Sequence, residues 1–183
     1  MTVWSTCTAS SSSLPQLPQL PGLPPLPPPL SDPDLRWLMQ ARHYAAQSVD
    51  PLLRSGAVAV RGSRCLLGST DGMPEGVRTT AARRRAAHTR QGMVLPAEQA
   101  LVASAARHGI ALQGATCYLW PFLSTAAGAA LLIQAGCLAF VTPELPLPAR
   151  LEGELLMVRE MAAEAGVLLR MVDVPLPTED LHG

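Results

Sequence analysis

Hydrophobic and polar positions along this chain recur with two different periods, and the periods predict its secondary structure. Four segments carry apolar residues at the helical spacing of three and four: 34–48, 96–108, 124–135 and 151–165. Five shorter apolar runs are typical of strands: 56–62, 64–68, 115–120, 137–142 and 167–174. The predicted order is therefore helix, strand, strand, helix, strand, helix, strand, helix, strand.

The connections between these elements predict how the strands pair. A tight Gly-Ser turn separates the first two strands, which indicates a hairpin. In the second half of the chain strands and helices alternate, which favours right-handed parallel crossovers. We therefore predict an α/β fold with three layers, α/β/α, in which a mixed five-stranded sheet has helices on both faces.

The N-terminal region differs in composition from the rest of the chain. Residues 1–31 carry no charged side chain and are dominated by Ser, Leu and Pro. Proline fixes φ and lacks an amide donor, so this region cannot form a helix. We predict a Pro-rich disordered tail over 1–32, one domain over 33–175 and a C-terminal tail over 176–183. The Pro-rich tail is either a solvated linker or a docking motif for an aromatic groove.

Charge and cysteine content exclude several classes of protein. Fourteen basic and fourteen acidic residues leave a formal net charge of zero, so overall electrostatics favours neither nucleic acid nor an anionic membrane as a partner. The cysteines include no CxxC pair, which favours a reducing, cytoplasmic setting. Neither a signal peptide nor a membrane span is expected, because glycines and a glutamine interrupt the most apolar stretch, 125–142.

Several short sequence motifs in the predicted domain resemble motifs of the cytidine and deoxycytidylate deaminase family. They are Gly56-Ala57-Val58, the loop 71–76 (DGMPEG), His108-Gly109-Ile110, Gly114-Ala115-Thr116 and Ile133-Gln134-Ala135-Gly136. The similarity covers roughly residues 34–174 and includes the predicted order of elements. It implies a deaminase-like fold, in which the active site lies at the start of two helices.

The resemblance also assigns residues to the zinc site of that family. Its members open one helix with His-x-Glu and a second with Pro-Cys-x-x-Cys; the His and both Cys bind zinc, and the Glu transfers protons. The metal-ligand positions here hold Pro96, Thr125 and Gly128, and only Glu98 is retained. Proline has no donor atom, glycine has no side chain, and threonine is a poor zinc ligand. Zinc is expected for the family, but its ligands are absent, so we predict no cofactor.

Other cysteines and histidines are poorly placed to rebuild the site. His108 ends the first of these helices and Cys137 follows the second, so each lies about 12 residues, or roughly 18 Å, from the helix starts. Cys117 begins the strand that feeds the site, at the end away from it. His88 precedes the first helix, but one His with Glu98 is not a zinc site.

Two carboxylates have alternative interpretations. Glu98 is either a vestigial proton shuttle or a carboxylate that stabilises the start of its helix. Asp71 replaces a loop Asn that contacts the sugar in the resembling enzymes, and a carboxylate cannot donate a hydrogen bond as that amide does. The alternative for Asp71 is a turn-forming Asp-Gly pair.

Basic and aromatic residues supply the remaining candidates. Arg83, Arg84 and Arg85 could bind a nucleotide phosphate or an RNA backbone, or form a solvated face or a contact with an acidic partner. The second interpretation is preferred, because the chain has no basic excess and few aromatic residues to stack bases. Trp120 either fills the space of the former site or contributes to an interface.

Together these residues predict a catalytically degenerate deaminase-like protein that acts through protein–protein contacts. It would be a homo-oligomer or the non-catalytic partner of a deaminase-family subunit, since that family generally oligomerises through helices beside the site. One alternative is a nucleotide-binding sensor that retained the pocket. The other is an active zinc-dependent (deoxy)cytidylate or nucleoside deaminase. Neither nucleic acid nor a membrane is expected as a partner.

Overall fold

The computed structural model describes residues 5–6, 32–48, 50, 54–123, 125–146 and 148–174. Most of the predicted Pro-rich tail, and all of the predicted C-terminal tail, lie outside the described residues. The predicted domain boundaries therefore stay predictions.

Each predicted helix and strand is present close to its predicted position. The helices are α1 (Pro33–Ala45), α2 (Ala81–Arg85), α3 (Ala87–Met93), α4 (Ala97–Arg107), α5 (Ala126–Gln134) and α6 (Glu152–Ala165). The strands are β1 (Ser5–Thr6), β2 (Gly56–Arg61), β3 (Arg64–Thr70), β4 (Thr116–Trp120), β5 (Ala139–Pro143) and β6 (Leu168–Val172). Helices α2 and α3 and strand β1 were not predicted as separate elements.

The strands form one mixed sheet in the order β1-β3-β2-β4-β5-β6. Strand β2 pairs antiparallel with both β3 and β4, whereas β4–β5 and β5–β6 are parallel. The predicted hairpin, crossovers and mixed five-stranded sheet are confirmed. Strand β1 adds a two-residue sixth strand beside β3. No helix in the described part of the chain is long and apolar enough to cross a membrane.

Alternate residues of β2 face two separate apolar layers, which confirms the three-layer arrangement. Val58 and Val60 pack with α1 on one face of the sheet. Ala57 and Ala59 belong to the core on the other face, which α4, α5 and α6 cover. The deepest side chains of that second core include Leu101, Leu132, Phe140 and Val158.

Helix α1 approaches the sheet most closely at Gly56. A Cβ atom on Gly56 would lie 2.0 Å from the carbonyl oxygen of Ala41 and 2.5 Å from the amide nitrogen of Ala45. Both atoms belong to the backbone of α1, so they cannot move aside as a flexible side chain could. The absence of a side chain at Gly56 therefore permits the contact between α1 and β2.

Residues 73–94, hereafter the arginine loop, begin and end beside the same backbone pair, Gly72 and Leu95. The amide of Gly72 donates to the carbonyl of Leu95 over 3.1 Å, and the amide of Leu95 donates back over 2.9 Å. Within the loop, α2 and α3 pack mainly on each other. An ion pair between Glu75 and Arg107 connects the loop to the end of α4.

Three cysteines in the described part of the chain, Cys65, Cys117 and Cys137, occur in two different states. Cys65 is disulfide-bonded, whereas Cys117 and Cys137 are free, buried thiols whose sulfur atoms lie 3.4 Å apart. Disulfides persist mainly in oxidising compartments. The cytoplasmic setting therefore stays a prediction.

Candidate functional site

A small cavity of about 80 Å³ lies where α4 and α5 begin, beside the end of β4. Its polar lining residues include Ser55, Glu98, Thr125 and Glu154, and its apolar ones include Leu119, Trp120, Phe122, Leu123 and Leu155. Pro96 also lines it. The structure therefore brings four sequence-predicted site residues together: Pro96, Glu98, Trp120 and Thr125.

The hairpin β2–β3 fixes the start of α4 at this cavity. The amide of Ala97 donates to Ser55 Oγ over 3.3 Å, and Ser69 Oγ donates to the carbonyl of Ala97 over 2.6 Å. Pro96 has an extended ψ of 153° and precedes the helix, which begins one residue later than predicted. Glu98 consequently occupies the second position of α4.

Glu98 connects the starts of two helices. Its side chain is only 5% exposed. Its Oε1 atom accepts hydrogen bonds from both the amide nitrogen and the hydroxyl of Thr125, each over 3.3 Å. A buried carboxylate is costly unless it is hydrogen-bonded. The side chain thus has a structural role, because its hydrogen bonds connect the start of α4 to Thr125 at the start of α5.

Thr125 is the N-cap of α5, and Gly128 is the third residue of that helix. The Thr125 hydroxyl accepts a hydrogen bond from the Gly128 amide over 3.1 Å while it donates to Glu98. An N-cap hydroxyl of this kind satisfies one of the free amides at a helix start. Two of the positions that the resemblance assigns to zinc ligands therefore form an ordinary helix cap.

Glu154 of α6 contributes a second carboxylate to the start of α5. Its Oε2 atom accepts a hydrogen bond from the Ala126 amide over 2.6 Å. Two carboxylates at one helix N-terminus are favourable to the helix dipole. Sequence reasoning missed Glu154, since nothing near it in the sequence indicates that it contacts another helix.

The donor atoms at this site do not fit a zinc ion. Catalytic zinc is held by three protein ligands, usually His, Cys or carboxylate. Pro96 and Gly128 supply no side-chain donor, and the Thr125 hydroxyl is already hydrogen-bonded. Among the described residues, no three His, Cys, Asp or Glu side chains are grouped to hold a metal. His108 lies at the far end of α4, where its ring contacts Ser104.

Asp71 is buried and engaged within its own chain. Its side chain is 3% exposed, Oδ2 accepts from the Ser48 hydroxyl and Oδ1 accepts from the Ser55 amide, both over 2.7 Å. Burial raises the pKa of this carboxyl to about 6, although the hydrogen bonds from Ser48 and Ser55 oppose that rise. Asp71 does not line the cavity. In this structure it connects the two ends of the segment 48–55.

The predicted basic residues also lie away from the cavity. Arg83, Arg84 and Arg85 belong to α2 in the arginine loop and are absent from the cavity lining. Trp120 is 8% exposed and forms part of the cavity wall. The guanidinium of Arg42 lies 5.6 Å from the Trp120 ring centroid, on the α1 side. Trp120 thus lies between α1 and the cavity, and both of its interpretations stay predictions.

Replacing Glu98 with alanine tests the structural role of this carboxylate. We expect Glu98→Ala to lower the free energy of unfolding by about 1–3 kcal/mol, because two polar groups of the half-buried Thr125 lose their acceptor. Glu98→Gln keeps an acceptor oxygen and should cost less. Urea denaturation of the three proteins measures both values. Equal stability of Glu98→Ala and the unsubstituted protein would contradict the structural role.

Comparison with solved structures identifies the fold. The dCMP deaminase from the cyanophage S-TIM5 superposes in its apo form with a TM-score of 0.59 at 15% identity, covering 76% of this chain and 96% of that one. Its complex with dCMP and dUMP gives 0.60 at 16% identity, covering 74% and 93%.

A longer protein contains a similar domain. The Thermotoga maritima diaminohydroxyphosphoribosylaminopyrimidine deaminase/5-amino-6-(5-phosphoribosylamino)uracil reductase superposes with a TM-score of 0.54 at 19% identity, covering 76% of this chain and 36% of that one. No protein-family model and no curated protein sequence matches the chain. At these identities the likeness shows the fold alone, and the chain has the three-layer fold of the cytidine and deoxycytidylate deaminases.

Proposed function

We propose that this protein is a non-catalytic member of the deaminase fold that acts through protein–protein contacts. The observation that carries the proposal is the use of the site residues as helix caps. Thr125, Glu98 and Glu154 direct their oxygen atoms at groups of the chain that start α5. A hydrolytic deaminase needs a metal-activated water, and these residues offer no set of metal ligands.

Exposed apolar side chains support the second half of the proposal. Leu156 and Met157 on α6 are 66% and 46% exposed, and Leu168 on the edge strand β6 is 55% exposed. Exposed apolar surface of this kind is typical of protein interaction sites when it is contiguous. A homo-oligomer, or an assembly with a deaminase-family subunit, would cover it.

The size of the cavity argues against the nucleotide-sensor alternative. Pockets for ligands of drug size typically enclose about 300–1,000 Å³. The cavity here has about 80 Å³ and is lined by Trp120, Phe122 and several leucines. A nucleotide would therefore require the walls to move apart.

Metal content and turnover test the proposal directly. We expect protein purified without chelator to carry far less than one zinc per chain, and to leave cytidine, dCMP and dCTP unconverted. The cyanophage dCMP deaminase, prepared in parallel, is the positive control. Melting temperatures should also be unchanged by these nucleotides. Stoichiometric zinc together with cytosine-to-uracil conversion would overturn the proposal and favour the active-deaminase alternative.

A further inference from the structure

Two segments of the chain carry opposite charge although the whole chain is neutral. The arginine loop, 73–94, contains five arginines and one acidic residue, Glu75. Helix α6 contains four glutamates and one arginine, Arg159. Complementary potentials on two surfaces are a feature of protein interfaces, where they fix which surfaces meet.

Exposed apolar side chains lie within both charged segments. In the arginine loop, Val77 is 38% exposed and Met93 is 43% exposed. On α6, Leu156 and Met157 are 66% and 46% exposed. Their helical spacing places them on the same side of α6 as Glu160, three or four residues further on. Each surface therefore combines an apolar centre with charges of one dominant sign.

Four charged side chains on these surfaces form no ion pair within the described part of the molecule. Arg78 and Arg85 in the loop, and Glu160 and Glu164 on α6, are exposed and take part in no ion pair there. The nearby ion pair between Glu75 and Arg107 only fastens the loop to α4. Arg78, Arg85, Glu160 and Glu164 are thus available to contact another molecule.

The arginine loop of one copy leaves the outer face of α6 in the same copy uncovered. The arginine loop follows β3, while α6 packs beside β6. Four strand intervals of about 4.8 Å place β3 and β6 about 19 Å apart. Leu156 and Met157 on α6 stay exposed, so the loop does not cover this face within one copy, and the complementary pair is available between copies.

We propose that the arginine loop of one copy binds the outer face of α6 on a second copy of this chain. The inference rests on the proposed function, for which it names the partner and the surfaces. The contact is heterologous, because two different surfaces meet, and it repeats until the assembly closes. Since exposed charges contribute to it, the association weakens as salt rises from about 50 mM to about 500 mM.

A charge-swap experiment tests the contact. Light scattering after gel filtration gives the assembly size of the full chain, and sedimentation gives its dissociation constant. The loop variant is Arg78→Glu with Arg85→Glu, and the helix variant is Glu160→Arg with Glu164→Arg. The matched control is Arg54→Glu with Arg64→Glu, which changes net charge equally at exposed positions outside both surfaces.

Each swapped variant alone should associate at least about tenfold more weakly, a loss of roughly 1.4 kcal/mol. An equimolar mixture of the two should associate strongly again, because the acidic loop of one variant meets the basic helix of the other and the two variants alternate. The control should associate as the unsubstituted protein does. A monomeric unsubstituted protein at low salt, an unaffected swapped variant, or a mixture that stays dissociated would overturn the contact. Zinc content and turnover are separate readouts, so either proposal can fail alone.

Discussion

Replacing Gly56 with alanine is expected to lower the free energy of unfolding by about 3 kcal/mol or more, at the upper end of overpacking effects. The added Cβ would lie 2.0 Å from the Ala41 carbonyl oxygen and 2.5 Å from the Ala45 amide nitrogen. Both clashing atoms belong to helix backbone, so α1 as a whole must move away from β2. Urea denaturation followed by tryptophan fluorescence measures the loss, since Trp37 lies on α1 and Trp120 on β4.

A second glycine supplies the matched control for this substitution. Gly153 lies in α6, and a Cβ there would meet nothing within 4 Å. Gly153→Ala should therefore be neutral or stabilise the protein by up to about 1 kcal/mol, as glycine is a poor helix former. If the two alanine variants unfold at the same urea concentration, the close contact between α1 and β2 does not determine stability.

Replacing Asp71 with asparagine is expected to stabilise the protein by about 3 kcal/mol near neutral pH. Burial raises the folded-state pKa of Asp71 from 3.8 to about 6, and each pKa unit corresponds to about 1.4 kcal/mol. A carboxyl whose pKa is raised by folding contributes most to the free energy of unfolding at pH values below its unfolded-state pKa. That contribution is lost as pH rises from about 4 through about 6. Above pH 6 the native protein contains a buried charge, which asparagine removes.

The hydrogen bonds around Asp71 can accommodate an amide. In the Asp71→Asn variant the side-chain oxygen would accept from the Ser55 amide, as Asp71 Oδ1 does now. The new amino group would donate to the Ser48 hydroxyl, which in the unsubstituted protein donates to Asp71.

Urea midpoints measured between pH 4 and pH 8 test the cause assigned to this gain. The stability gain of Asp71→Asn should grow with pH and level off above about 6. Asp173→Asn, at an exposed position, should leave the profile unchanged. A gain that does not depend on pH would contradict the assigned cause.

The sequence predicted the elements whose apolar residues face a core. Strand β2 shows why: Ala57 and Ala59 face one layer and Val58 and Val60 the other, so the strand is apolar throughout. Helix α4 was equally clear because Ala97, Leu101 and Ala105 recur at helical spacing on its buried side. These patterns can be seen in the sequence because buried positions hold apolar residues at the period of the helix or strand.

Helices and strands with few buried side chains show no comparable apolar pattern in the sequence. Helices α2 and α3 consist mainly of alanine, arginine and other small or polar residues, and α2 has no buried residue. Strand β1 comprises two residues whose pairing with β3 spans about sixty positions of sequence. Neither a short helix without an apolar face nor a distant two-residue pairing can be recognised from local periodicity.

The location of the candidate site was predicted from the sequence, but the hydrogen-bond partners of its residues were not. Pro96, Glu98 and Thr125 were correctly grouped, because the resemblance placed them at the starts of two helices. Glu98 was interpreted either as a vestigial proton shuttle or as a carboxylate that stabilises its own helix. Its hydrogen bonds from Thr125 at the start of α5 belong to neither interpretation. Glu154 joins the same helix start from α6. Contacts between distant helix ends depend on tertiary packing, which the sequence alone does not specify.

The N-cap role of Thr125 makes it costly to introduce zinc ligands at this cavity by single substitutions. Thr125→Cys alone would remove a hydroxyl that serves Gly128 and Glu98, at a cost of about 1 kcal/mol. One thiolate does not constitute a site, since three protein ligands are needed before zinc is held. Single steps therefore lose stability without gaining affinity. The fold is shared with a dCMP deaminase, but the hydrogen bonds at the start of α5 make the first substitution towards a set of zinc ligands costly in stability.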